Sequence, residues 1–262
     1  MRLIYLFVFI EFLLISGCGV QPTLPVSQRT QSTTSDTDDD ARGRARIHTD
    51  LAANYLEIRN LGVALEEAGI AQRSDPSYGP AYNIAGLIYI ELKDDRMAEE
   101  SFRQALRINV RDSDANNNYG TFLCQRKREA EGIKFFLLAI GDPLYQYPDR
   151  SFVNAGVCAR RRGDLADAEN YFRSALKFQN NQIQALYQLA DIAYAQARYA
   201  EARSFLVRLL PVAAGSPEIL WLMLRTERHL GDGNSLDSLA HQLRNNFPNS
   251  KEAELLATKR FD

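Results

Sequence analysis

An all-α solenoid of about six helix-turn-helix units, closed by a short C-terminal helix, is the fold the sequence predicts. Three observations carry the prediction. Small residues return every 34 residues, a bulky apolar residue keeps a fixed offset from them, and the register holds through most of the chain. A missed period would miscall the whole fold, so the repeat comes before any local reading.

With Gly86 set as position 8 of a 34-residue unit, position 8 reads Ala52, Gly86, Gly120, Gly156, Ala190 and Leu224. Position 20 reads Ala64, Ala98, Gly132, Ala168, Ala202 and Leu236, and position 27 reads Ala71, Ala105, Ala139, Ala175, Leu209 and Leu243. Position 24 carries Phe102, Phe136, Phe172 and Leu206. Two antiparallel helices approach closely only where positions 8 and 20 are small. The bulky residue at 24 and the small one at 27 then set the second helix against its neighbours. Pro76 and Pro248, both at position 32, close second helices because proline cannot donate into a continuing one. Gly163-Asp164 and Gly231-Asp232 mark turns within units, where glycine adopts a left-handed backbone cheaply. This is the pattern of the tetratricopeptide (TPR) repeat, so the expected architecture is a right-handed TPR superhelix.

In chain order, residues 1–17 read as a signal peptide. Arg2 supplies a positive start, and the apolar stretch of residues 3–15, interrupted by Glu11, is too short to span a bilayer. It ends in Ile15-Ser16-Gly17-Cys18, which resembles a bacterial lipobox with Cys18 as the lipidated residue; an ordinary cleaved leader with an incidental cysteine is the alternative. In lipoproteins an Asp after the cysteine signals inner-membrane retention, and residue 19 is Gly. The resemblance therefore implies anchoring by lipid on the periplasmic face of the outer membrane. Several acyl chains hold far more stably than one, at about 0.8 kcal/mol per buried methylene.

Residues 18–44 are rich in Gln, Pro, Thr, Ser and Asp, with almost nothing to bury, and read as a flexible leash reaching roughly 30 Å on average and about 90 Å at full stretch. Asp38-Asp39-Asp40 reads as solvated linker rather than a metal or partner site. Units then run 45–78, 79–112, 113–148, 149–182, 183–216 and a degenerate 217–250. The third needs two extra residues, absorbed within 141–148. Residues 251–262, with Ala253, Leu255, Leu256 and Ala257, form a capping helix over the last apolar face.

Chemistry-bearing motifs are few. The three histidines, His48, His229 and His241, lie at no ligand spacing from a cysteine or from each other, which argues against a zinc site. No nucleophile elbow, phosphate-binding glycine loop or HExxH is present, and no cofactor or small-molecule substrate is expected. A net charge of -2 argues against a general nucleic-acid binder. The sequence reads as a binding protein rather than an enzyme.

Candidate binding residues follow from the repeat. Positions 2, 5, 9, 12 and 13 of first helices face the concave groove of a TPR array. In the first two units these include Ala53, Leu56, Leu87 and Ile90, with Asn83 as a polar contact, so an apolar trough is expected there, either open to a partner or filled by the chain around Ile47. Arg126-Lys127-Arg128 and Arg160-Arg161-Arg162 end neighbouring first helices and predict one basic patch, which either binds an acidic partner, with Arg160 and Arg161 as contacts, or suits helix C-termini alone. Cys124 and Cys158 sit at positions 12 and 10 of adjacent first helices. They read either as a disulfide, in an exported protein, or as two buried free thiols.

Asn116-Asn117-Asn118-Tyr119-Gly120-Thr121-Phe122-Leu123-Cys124, followed by Leu144-Tyr145 in the insertion, resembles the type IV pilus biogenesis and stability lipoproteins, the PilF/PilW pilotin family. The resemblance covers essentially the whole chain. It implies a role in localising, assembling or stabilising the secretin ring through which a pilus is extruded, with the secretin subunit as partner. It also implies that Cys124 and Cys158 correspond to the pair family members carry in repeats three and four. A TPR lipoprotein that scaffolds peptidoglycan-modifying enzymes, or another envelope secretion adaptor, is the alternative.

Overall fold

The computed structural model describes residues 33–213 and 216–261. They form thirteen helices and no strand among the described residues. Six helical hairpins follow one another: α1 (Thr33–Glu57) with α2 (Leu61–Ser74), α3 (Gly79–Glu91) with α4 (Asp95–Ile108), α5 (Ser113–Gln125) with α6 (Glu129–Ile140), α7 (Pro148–Arg162) with α8 (Leu165–Phe178), α9 (Ile183–Ala195) with α10 (Tyr199–Ala213), and α11 (Pro217–Leu230) with α12 (Gly233–Asn246). The short α13 (Lys251–Ala257) closes the array, burying Ala253 and Leu256. This is the all-α, right-handed TPR superhelix that the period predicts.

Each hairpin is closed by contact at the small positions. The side chain of Phe102 lies where a Cβ on Gly86 would stand, 2.7 Å away, and Phe172 meets Gly156 in the same way at 2.6 Å. In the third unit both positions are glycine, and the backbones themselves meet: a Cβ on Gly132 would lie 2.7 Å from the carbonyl oxygen of Gly120. Phe102, Phe136, Phe172 and Leu206 are at most 1% exposed, so the bulky residue at position 24 is the centre of each unit's core.

The turn inside every hairpin has one geometry. Arg59, Lys93, Lys127, Gly163, Ala197 and Gly231 all have left-handed φ between 58° and 94°, and each is followed by an amide that reaches back five residues to the first helix, as Asp94 does to Tyr89 at 2.9 Å. Only two of these six positions are glycine, so four turns hold a side chain in a conformation that costs about 1 kcal/mol or more.

Two junctions between units carry the same four-residue ion cluster. Glu99 on α4 accepts from Arg103 at 2.7 Å and from Arg128 of the next unit at 2.9 Å, and Arg128 also holds Glu131 at 2.8 Å. Seventy residues on, Glu169, Arg173, Arg198 and Glu201 repeat the arrangement between the fourth and fifth units. In the fifth and sixth units the signs invert: Arg203 holds the buried Glu227 in a two-pronged pair and reaches Asp232 at 3.4 Å.

One expectation needs correction. The leash predicted for residues 18–44 ends early, because residues 33–44 are the first three turns of α1. Arg42 ties this polar stretch to the end of the hairpin, pairing with Asp75 at 3.5 Å and lying over the Tyr78 ring at 5.3 Å, and within the helix Asp40 pairs with Arg44 one turn on. The predicted signal peptide, Cys18 and the predicted leash as far as residue 32 lie outside the described residues.

Three measurements check this fold. Gly132→Ala is expected to lower stability by roughly 1–3 kcal/mol in thermal melts, because backbone must move, while Gly43→Ala, with nothing within 4 Å of the new Cβ, gains up to about 1 kcal/mol in helix propensity. Ala197→Gly is expected to raise the melting temperature by relieving the left-handed turn, and a fall would mean that Ala197 packs rather than strains. Burial pushes the Glu99 and Glu169 carboxyls up, but hydrogen bonds from Arg128, Tyr119, Arg198 and Arg173 outweigh it and hold both below their ordinary 4.5. Their contribution is thus full above pH 4.5 and fades as pH falls through the lowered values. Melts of Glu99→Gln against the native chain are expected to converge on acidification.

Candidate partner-binding groove

First helices line the concave face, and two openings run along it. The first, about 370 Å³, is walled by Leu56, Glu57 and Arg59 at the end of α1, by Leu87, Ile90 and Glu91 on α3, and by Asn118, Thr121 and Gln125 on α5. The second, about 160 Å³, shares Thr121 and Gln125 and continues past Cys124, Asn154, Val157 and Arg161 to Gln184 on α9. The two are one groove, with Leu56, Leu87 and Ile90 at its N-terminal end and with Asn154, Arg161 and Gln184 beside Phe136 and Val157 further along.

The structure brings together Leu56, Leu87 and Ile90, all half-buried, as the apolar trough. Ile47 does not fill it; it is 55% exposed and lines neither opening. Ala53 is exposed and lies outside the groove. Asn83 is half-buried and is engaged, accepting from the Asn118 amide at 3.2 Å.

That bond belongs to a polar chain that sequence reasoning missed, although its signal was the run of three asparagines. Asn116 is 1% exposed and faces inward, where its amide donates to the carbonyls of Val110 and Asp112 and pins the loop before α5. Asn118 reaches back to the second unit. Asn117 reaches forward to the fourth, accepting from the Ser151 hydroxyl at 2.9 Å and the Asn154 amide at 3.0 Å. One run of identical residues therefore serves three directions of a helix that sits between two neighbours.

Cys124 and Cys158 are joined as a disulfide with Cα atoms 5.8 Å apart, beside the same groove. It links the third and fourth units, whose junction has Ile133 and Leu137 where the flanking junctions have the Glu and Arg of the ion cluster.

The basic patch does not form as predicted. Arg126 pairs with Asp95, Arg128 with Glu99 and Glu131, Arg160 with Asp191 and Gln188, and Arg162 with Asp164 and Asp167. Carboxylates take up most of the charge that the runs supply, on neighbouring units for Arg126, Arg128 and Arg160 and within the same unit for Arg162. Arg160 is accordingly a brace between α7 and α9 rather than a free contact. Arg161, exposed on the wall of the groove, has no ion-pair partner among the described residues.

Among the described residues no group of three or more His, Cys, Asp and Glu is placed to hold a metal ion, and no helix is long and apolar enough to cross a membrane. Models of the tetratricopeptide repeat match residues 79–109 and 159–225. The type IV pilus assembly protein PilF of Pseudomonas aeruginosa is 28% identical over 215 residues, covering 82% of this chain and 85% of its own. Its solved structure superposes with a TM-score of 0.75 at 27% identity, over 85% of this chain and 99% of the other. The crystal structure of PilW, described as a widely conserved type IV pilus biogenesis factor, superposes with a TM-score of 0.72 at 31% identity, over 81% of this chain and 98% of that one.

The disulfide closes a loop of 34 residues and is worth roughly 3–4 kcal/mol by loop-closure entropy. Reductant, or Cys124→Ser with Cys158→Ser, is expected to lower the melting temperature by several degrees. Two free thiols in mass spectra of protein purified without reductant would remove the bridge from the account.

Proposed function

We propose that this chain, which belongs to the PilF/PilW family of TPR proteins of type IV pilus biogenesis, is the pilotin of a type IV pilus: it binds the secretin subunit through the concave groove and promotes secretin localisation, multimerisation or stability. The observation that carries the reading is the open apolar trough of Leu56, Leu87 and Ile90 in a member of that family. Exposed apolar surface of this kind, walled by polar side chains, suits a partner segment that brings its own apolar side chains. Binding, not catalysis, is the activity: the work is done by shape, desolvation and amide contacts along a stiff array.

The leader sequence supports the rest of the proposal. Acylation at Cys18 holds the protein on the periplasmic face of the outer membrane, where a secretin ring is built. A tether of modest length then keeps the groove within reach of the ring, and linkage raises the effective concentration of one for the other without new contacts.

Co-purification from detergent-solubilised envelopes tests the partner. Leu87→Glu places a charge in the trough and is expected to abolish recovery of the secretin and of its multimers, with loss of twitching motility. Leu87 also leans on the cores of the second and third units, so Gln125→Trp, at an exposed position, serves as a second block that does not touch the core. Unimpaired secretin assembly with both folded variants would move the site off this groove. Cys18→Ala is expected to release a folded protein from the outer membrane into the soluble fraction, and full retention there would mean that acylation is not the anchor.

A further inference from the structure

The sixth unit breaks the packing rule of the others, and the break leaves an opening at the C-terminal end of the array. In units two to five position 24 holds Phe102, Phe136, Phe172 or Leu206, and that side chain fills the unit's core. The sixth unit has Ala240 there, and Leu224 replaces the small residue at position 8. The first unit also has an alanine at position 24, but Ala68 shares a core with Ile84 and Ile88 of the next first helix and is fully buried. At the far end α13 stands where a seventh first helix would begin. Leu256 takes the place of Ile84, but the helix stops at Ala257, so the equivalent of Ile88 is the exposed Arg260 beyond its end. What remains is an opening of about 340 Å³, floored by Leu224, Leu236, Ala240 and Leu256 and bounded by Phe261.

The rim of this opening is positively charged. Arg228, Arg244 and Lys259 line it against one carboxylate, Asp237, and none of the four makes an ion pair among the described residues. Arg228 lies over the Phe261 ring at 4.2 Å, a contact that leaves its charge uncompensated. Arg203, by contrast, is held between Glu227 and Asp232 of the same unit. An apolar floor under free cations favours an apolar group that carries negative charge beside it. The floor lies where a phenyl ring of the array itself sits in units two to four, so the shape suits a protein side chain better than the long chains of a lipid. We propose that the C-terminal end is a second protein-binding site, which takes a large apolar side chain flanked by carboxylates from a partner. That side chain supplies from outside the knob that position 24 lacks, and its acidic neighbours meet Arg228, Arg244 and Lys259. The site shares no residue with either opening of the groove and does not depend on what the groove binds.

Trp221 is the chain's only tryptophan, and its ring stacks on Phe261 at 5.5 Å, so its fluorescence reports on the opening. The probe is the peptide acetyl-Glu-Glu-Phe-Glu-Glu-amide, titrated against the full chain carrying Cys18→Ala. The neutral acetyl-Gln-Gln-Phe-Gln-Gln-amide and the fatty acid dodecanoate are titrated beside it. The acidic peptide is expected to change the Trp221 emission saturably and to bind at least tenfold more tightly than the neutral one. Ala240→Phe fills the opening from within and is expected to abolish the response. Arg244→Glu, at an exposed position, should weaken the peptide at least tenfold with an unchanged melting curve, which keeps the test sound should Ala240→Phe disturb the fold. No saturable response at millimolar peptide, or equal affinity for the two peptides, overturns the proposal. Tighter binding of dodecanoate than of the acidic peptide would assign the opening to a lipid and overturn it too. Asp262 follows Phe261 outside the described residues, and a tenfold gain in peptide affinity on Asp262→Asn would make this chain's own acid the occupant in place of a partner's.

Discussion

Everything in this molecule depends on how closely two helices within a unit can approach. At Gly120 and Gly132 the distance is set by backbone against backbone, and at Gly86 and Gly156 by backbone against a phenyl ring. A methyl group at any of these points would have to displace its neighbour, and interiors packed to crystal-like density yield poorly to such changes. The close approach fixes the angle between the helices of a unit, and that angle, repeated, gives the superhelix its curvature and its concave face. The groove is therefore a consequence of small residues that never touch a ligand.

This constraint is also why the fold was legible. A requirement for small side chains leaves a mark in the sequence that no other residue type can imitate, and it recurs because the architecture recurs. The turns left a weaker mark. Gly163 and Gly231 advertise a left-handed residue, but Arg59, Lys93, Lys127 and Ala197 adopt the same conformation with no signal, because the surrounding bonds over-determine it. The helix over residues 33–44 left none at all: its composition is that of a linker, and the contacts of Arg42 with Asp75 and Tyr78, brought close by the hairpin, are not visible along the chain.

The site was legible in its apolar part for the same reason. Leu56 and Ile90 share position 12 and Leu87 stands at position 9, so the period places the three together, although Ala53, also at position 9, lies outside the groove. Charge was not legible in this way. Six cations in two short runs look like a patch along the chain, yet Arg126, Arg128 and Arg160 find partners on a neighbouring unit, 28 to 31 residues distant at Asp95, Glu99, Gln188 and Asp191, and Arg162 finds Asp164 and Asp167 just beyond its own helix. Pairing removes most of the field. Lys127, which lines neither opening, and Arg161, on the groove wall, are the two cations of these runs without a carboxylate among the described residues.

The junction between the third and fourth units shows what a binding array needs besides shape. On either side of it, units are braced by the Glu99 and Glu169 ion clusters. At this junction positions 21 and 25 are Ile133 and Leu137, and two inserted residues break the period. The brace here is of another kind: the Cys124–Cys158 bridge and the Asn117 bonds to Ser151 and Asn154 cross the same gap on the concave side. Ion pairs at partly exposed sites are screened and contribute little each, so they tune curvature more than they lock it. A covalent bond and a set of half-buried amide bonds hold their geometry. The locked junction lies where the two openings of the groove meet, so the shape that a partner would have to match is held there by the strongest brace in the array. Such pre-organisation spares the bound state the cost of ordering the groove.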